Sequence, residues 1–240
     1  EHVTNIHPNT QYAGVVFHLL PKKEWYLDPE MKALAALMDE TLSRLKSVFL
    51  GSHNGRYSAL LCLNKQSQQD IKQQALKIVE EVVHTSYDNL NVELYCGISS
   101  ITPSLENVPL LHAEAEQAVQ SYFFHGSGIY VYDQATSQNS FSESEWIALF
   151  QKAKDFIEAQ SYDALFRWLE QQFHTLPHHV QPREAIRFCE MVINNFVHYI
   201  LDRYQMDLGY QGSNSDLENE LYALRTASSW QDVQEMTYSI

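Results

Sequence analysis

At 240 residues the chain is long enough for two ordinary domains, each with its own core, and 45% hydrophobic with 12% aromatic residues is the composition of a globular protein. No apolar run approaches the roughly 20 residues that cross a bilayer, which excludes a membrane role for this segment. A formal net charge of -14 repels phosphate, and binding to a nucleic-acid backbone rests on clustered Lys and Arg, so this segment is not expected to bind DNA itself.

Cys62, Cys96 and Cys189 are odd in number, far apart and without a CxxC pair, which argues against a disulfide framework or a zinc site and for a reducing cytoplasm. The sequence opens on EHVTNIHPNT, with no initiator Met, signal peptide or basic leader. It closes inside an expected helix at Tyr238-Ser239-Ile240, without a Gly or Pro stop. The expectation is an internal piece of a longer protein.

QYAGVVFHLL, from Gln11 to Leu20, is a nearly continuous apolar run of strand length and is expected to be a central strand buried on both faces. Asp28-Pro29 then offers an N-cap and a first-turn Pro, and Met31, Leu34, Met38, Leu42, Leu45 and Val48 recur at helical steps. Two apolar segments between Phe49 and Leu63 flank SHNGR, whose Asn-Gly pair predicts a hairpin turn. Ser67 and Asp70 read as a capping box, and Ile71, Ala75, Ile78 and Val82 mark one face of the helix that follows, ending near Tyr87-Asp88-Asn89.

Val92, Leu94, Cys96 and Ile98 alternate as in a half-buried strand, Val108, Leu111, Ala115, Val119 and Tyr122 mark a helix face, and Ile129 to Tyr132 follows as a last strand after Gly126 and Gly128. The order β-α-β-β-α-β-α-β contains the ferredoxin-like split βαβ unit, with one further helix and strand. The fold class is therefore α+β over residues 1–135, a sheet with packed helices.

A polar QATSQNS run marks a linker, and residues 140–240 are expected to form an all-α domain. Its helices begin at a Ser142/Glu145 capping box, near Tyr162, at Gln181-Pro182, at Ser215/Glu218 and at Ser229/Asp232. The first holds Trp146, Leu149, Phe150, Ala153 and Phe156, and the second, from Tyr162 to Leu176, carries Leu165, Phe166, Leu169 and Phe173.

Chemistry is scarce. His174, His178 and His179 are the densest histidine group, but they straddle Pro177 with no carboxylate in register, so a plain interhelix loop is preferred to a metal site. Glu114 and Glu116 lie two apart on a helix, point to different faces and are read as solvated, as are Glu80 and Glu81. There is no GxxxxGK[ST], GxGxxG or GxSxG motif, and Ser99-Ser100 is expected to end its strand. No catalytic, cofactor-binding or metal-binding residue is expected. Ile186, Cys189, Ile193, Phe196 and Ile200 run close to a heptad seam and could form a dimer interface, although a bundle core explains them without a partner.

Ala115 to Tyr132, AEQAVQSYFFHGSGIYVY, resembles the last helix and strand of diguanylate-cyclase (GGDEF) domains, and Tyr95-Cys96-Gly97-Ile98-Ser99 resembles the strand before it. The likeness spans roughly Gln11 to Asp133 in element order. In that family the central hairpin carries glycines and an acidic metal ligand, whereas the matching turn here is His53-Asn54-Gly55-Arg56-Tyr57 and the first strand ends Leu19-Leu20-Pro21-Lys22-Lys23. The resemblance therefore implies a degenerate domain without cyclase activity.

Leu105 to Asp133 is also similar to the middle region of YesN-type AraC-family response regulators, in register at His112 to Val119 and Tyr122-Phe123-Phe124-His125-Gly126. Ser228-Ser229-Trp230-Gln231-Asp232-Val233 looks like the short helix preceding their DNA-binding domain. What this implies is a non-catalytic relay and dimerisation region, cytoplasmic, without cofactor. Its partners would be a second copy and DNA reached only through a C-terminal helix-turn-helix outside this sequence. A small-ligand or nucleotide sensor is the alternative, and an active cyclase the least favoured.

Overall fold

The computed structural model describes residues 10–19, 28–53, 55–64, 68–132, 141–178, 180–204 and 213–239. Contacts divide the chain into a unit of Glu1–Asp133 and a unit of Gln134–Ile240.

The first unit runs β1 (Thr10–Leu19), α1 (Asp28–Arg44), β2 (Val48–His53), β3 (Arg56–Asn64), α2 (Gln68–Leu90), β4 (Leu94–Thr102), α3 (Val108–Val119), a one-turn α4 (Tyr122–His125) and β5 (Ile129–Val131). The sheet order is β2-β3-β1-β4-β5, with every neighbouring pair antiparallel except the parallel β4 and β5. This is the expected split βαβ arrangement with β4-α3-β5 added, and β1 is central, as its long apolar run required.

Side chains of β1 alternate between two different layers. Ala13, Val15 and Phe17 enter the main core with Leu34, Met38 and Leu42 of α1 and Ile71, Ala75, Ile78 and Val82 of α2. Tyr12 faces the other side with Leu60 and Leu111 of α3. Along that second face the sheet and α3 nearly touch: a Cβ at Gly14 would lie 2.9 Å from the Leu111 carbonyl oxygen, and one at Gly97 would lie 2.1 Å from that of Ala115.

Three readings change. Val48 is the first residue of β2 and exposed, because α1 stops at Arg44 and the chain turns through Lys46 in left-handed backbone, φ 58°. Tyr122 leaves the α3 face, since the helix breaks at Gln120-Ser121 and restarts as α4. Ser99 and Ser100 do not end β4, which continues to Thr102. Instead Ser99 serves a β-bulge at Ala13/Val15, where its Oγ accepts a 2.8 Å hydrogen bond from the buried Gly14 N–H. Ser99→Ala leaves that donor without this acceptor and is expected to cost about 1–3 kcal/mol in urea unfolding, whereas Ser100→Ala, at an exposed position, should cost less.

The second unit contains α5 (Glu143–Glu158), α6 (Tyr162–Thr175), α7 (Pro182–Tyr204), α8 (Ser213–Arg225) and α9 (Trp230–Ser239), with no strand among its described residues. Both legible N-terminal signals are present. Ser142 Oγ accepts from the Glu145 N–H while the Glu145 carboxylate accepts from the Ser142 N–H, and Ser229 Oγ accepts from the Asp232 N–H. Aromatic rings of α5, α6 and α7 meet in the core through Phe150, Trp168 and Phe188. On α6, Leu165, Leu169 and Phe173 are buried and Phe166 is exposed. The caps expected from the side chains of Asp28 and Ser67, the linker at Gln134 to Ser140, and the side chains of His178 and His179 lie outside the described residues. The helix expected to open at Ser215 begins instead at Ser213, which places Ser215 inside it. No described helix is long and apolar enough to cross a membrane.

Candidate functional site

The register of the sheet assembles one polar cluster that the linear sequence does not display. His18, near the end of β1, stands opposite Arg56 of β3 on one side and Tyr95 of β4 on the other. All three lie on the face that α3 covers, and Glu116 of α3 comes down onto them. Its carboxylate oxygens are 3.7 Å from His18 Nε2 and 3.9 Å from the Arg56 guanidinium. The Tyr95 hydroxyl is 3.4 Å from His18 Nδ1, and the Tyr95 ring stacks on Tyr122 with centroids 3.9 Å apart.

His18 Nε2 is buried and makes no hydrogen bond among the described residues, since 3.7 Å is too long for one. The His18 imidazole facing it is the main cause that holds the Glu116 carboxyl below the ordinary carboxylate range, helped by Arg56 and His112 and opposed by partial burial. Burial above all, with Tyr122 and Glu116 adding to it against the pull of Arg56, pushes the Tyr95 phenol up to about 12. Tyr95 is therefore protonated at neutral pH and no general base.

A carboxyl depressed in the folded state adds stability above the unfolded carboxylate pKa, and that stability is lost as pH falls through the folded value. Glu116→Gln is accordingly expected to lower stability by about 1 kcal/mol or less near neutral pH, because Arg56 is largely exposed, and to match the parent chain in acid. Urea midpoints of the two chains between neutral and acidic pH read this difference directly.

The hairpin beside this cluster turns as its Asn-Gly pair predicted. Gly55 adopts φ 75°, and its carbonyl accepts a 3.3 Å bond from the Leu19 N–H, tying the end of β1 to the turn. Tyr57 is buried in the main core, with its hydroxyl donating to the Met31 carbonyl at 3.4 Å. The described hairpin-tip residues, His53, Gly55, Arg56 and Tyr57, offer no carboxylate, and Arg56 brings a cation to the place. A Mg²⁺ ion held partly by substrate phosphates needs carboxylate oxygens, so this donor set does not fit one. Leu20 to Lys23 lie outside the described residues.

Of the four glutamates read as solvated, Glu80 is exposed and the other three have partners. Glu114 accepts from both the N–H and the Oγ of Ser100, Glu116 faces His18 and Arg56, and Glu81 meets Arg44 at 2.6 Å. Glu114 and Glu116 do reach different partners, so they form no acid and base pair. Among the described residues no group of three His, Cys, Asp or Glu is placed to hold a metal ion. Burial pushes the thiols of Cys96 and Cys189 up to about 12, which makes them poor nucleophiles.

Of the seam on α7, Cys189 and Ile193 are buried inside their own unit, while Ile186, Phe196 and Ile200 are half-buried. The bundle core accounts for the first two. Only the other three retain surface that a second copy could cover.

Comparison with known protein families finds a match to the GGDEF-like domain over residues 2–121. No curated protein matches the chain.

Proposed function

The chain belongs to the GGDEF-like domain family, and from that premise we propose that it is the non-catalytic relay and dimerisation region of a bacterial AraC-type transcriptional regulator of the YesN group. The observation that carries the loss of catalysis is Arg56. It stands in the hairpin where cyclases of the resembling family hold a metal-binding carboxylate, and it faces Glu116 of α3. The regulator context draws on the likeness of Leu105 to Asp133 and of Ser228 to Val233 to the corresponding segments of such proteins. In this reading the region is cytoplasmic and passes an upstream signal, such as receiver phosphorylation, through helix packing to DNA-binding domains beyond it. DNA is touched only by those domains.

Dimerisation would use the half-buried Ile186, Phe196 and Ile200 of α7. Sedimentation of the chain over a wide concentration range tests this: a dimer that Ile200→Lys converts to monomer supports the reading, and a monomer at every concentration removes dimerisation from it. A second reading, small-ligand sensing, draws on the buried Nε2 of His18, which makes no hydrogen bond among the described residues. It requires that a nucleotide, cyclic dinucleotide or sugar raise the melting temperature, since a ligand bound to the native state must stabilise it. A flat screen counts against sensing.

A further inference from the structure

Among the described residues β2 is the outermost strand of the sheet, so one row of its backbone N–H and C=O groups faces away from β3. Folded proteins guard such edges by brevity, charge or Pro, because an open edge recruits another strand. The opposite edge is guarded by brevity: β5 has three residues. β2 has six, VFLGSH, with no Pro and no Lys, Arg, Asp or Glu among them. Val48 and Leu50 leave 44% and 50% of their surface exposed, and a bulge between Phe49 and Gly51 leaves Leu50 out of register with β3.

Charge distinguishes the strands this edge can accept. Residues 41–69 contain Arg44, Lys46, Arg56 and Lys65 and no Asp or Glu, in a chain whose net charge is -14. Lys46 is exposed just before β2, and exposed His53 and Arg56 flank its other end. The edge is therefore apolar in the middle and basic at both ends. A second copy of β2 fits it poorly. Antiparallel self-pairing sets Lys46 of each copy beside His53 and Arg56 of the other, and parallel self-pairing sets Lys46 beside Lys46.

We propose that β2 is the docking edge for an extended segment of a partner protein, apolar in its middle and acidic at both ends, which adds to the sheet as a further strand. Main-chain hydrogen bonds supply the affinity in this mode of recognition, and the end charges select the partner and fix its register. The interaction shares only Arg56, which also faces Glu116, with the polar cluster around His18, and it does not need the seam on α7.

The test uses the whole chain and two capped, fluorescently labelled peptides, each with a centre of alternating Val and Thr, one with Glu and one with Lys at both ends. Anisotropy titrations should show the Glu-ended peptide binding at least about tenfold more tightly than the Lys-ended one. Lys46→Glu and Leu50→Asp should each weaken it by about tenfold or more. Both positions are exposed, and circular dichroism checks that each variant folds; if Leu50→Asp does not, Lys46→Glu alone decides. Equal binding of the two peptides, no binding of the Glu-ended one, or binding that Lys46→Glu leaves unchanged overturns the proposal. So does concentration-dependent self-association abolished by Leu50→Asp, which would make β2 a contact between copies.

Discussion

Replacing Gly97 by alanine is expected to destabilise the first unit by about 3 kcal/mol or more, seen as a large fall in the urea midpoint. The added methyl would sit 2.1 Å from the Ala115 carbonyl oxygen and 2.6 Å from the Val119 nitrogen. Both atoms belong to the backbone of α3, so no side chain can rotate out of the way. The helix must shift as a body, and with it Leu111, Ala115, Ala118 and Val119, all of which are buried. It would also carry Glu116 off His18 and Arg56. Gly14→Ala makes a milder demand, with its closest approach 2.9 Å, and should cost less. A Gly97→Ala chain with an unchanged midpoint would mean that α3 does not lie on β4 as described.

Trp230→Ala should be comparably damaging to the second unit, at about 3–5 kcal/mol. Trp230 opens α9, is buried, packs edge-on against Phe173 of α6 at 5.4 Å, and its indole N–H donates to the Phe173 carbonyl at 3.1 Å. Truncation therefore removes a large apolar volume and the donor to the Phe173 carbonyl together. Trp230→Phe separates the two effects, since it retains an aromatic ring but loses the N–H, and should recover most of the loss with a residual cost of about 1–2 kcal/mol. Denaturation followed by far-ultraviolet circular dichroism gives both numbers. Equal loss in the two variants would make the hydrogen bond, and not the packing, the larger contribution.

The elements were legible because their signals are local. Apolar spacing gave the buried faces of α1 and α2, the Asn-Gly pair gave the hairpin, and the order of elements gave the split βαβ unit. Boundaries were missed where the stop is a conformation and not a residue type. α1 ends through Lys46 at φ 58°, which no Gly announces, so Val48 read as one more helical position.

The polar cluster was not legible, because its members are gathered by register. His18 and Tyr95 lie 77 residues apart, and only the pairing of β1 with β4 makes them neighbours. One trace was available: His18 is the single basic side chain in QYAGVVFHLL and faces the same side as the close-packed Gly14. The glutamates of α3 were misjudged for the same reason, since helical spacing separates Glu114 from Glu116 but says nothing of Ser100, His18 or Arg56 waiting on the sheet. By contrast, the hairpin without a carboxylate was fully visible in the sequence, because the turn is local.

The proposed non-catalytic role rests on that hairpin, and nucleotide turnover tests it most directly. Incubating the chain with GTP and Mg²⁺ or Mn²⁺, and resolving the products by chromatography, should leave GTP unconverted, both for the parent chain and for Arg56→Glu, since one restored carboxylate does not rebuild a metal site. Formation of a cyclic dinucleotide by the parent chain would contradict the assignment of a non-catalytic relay.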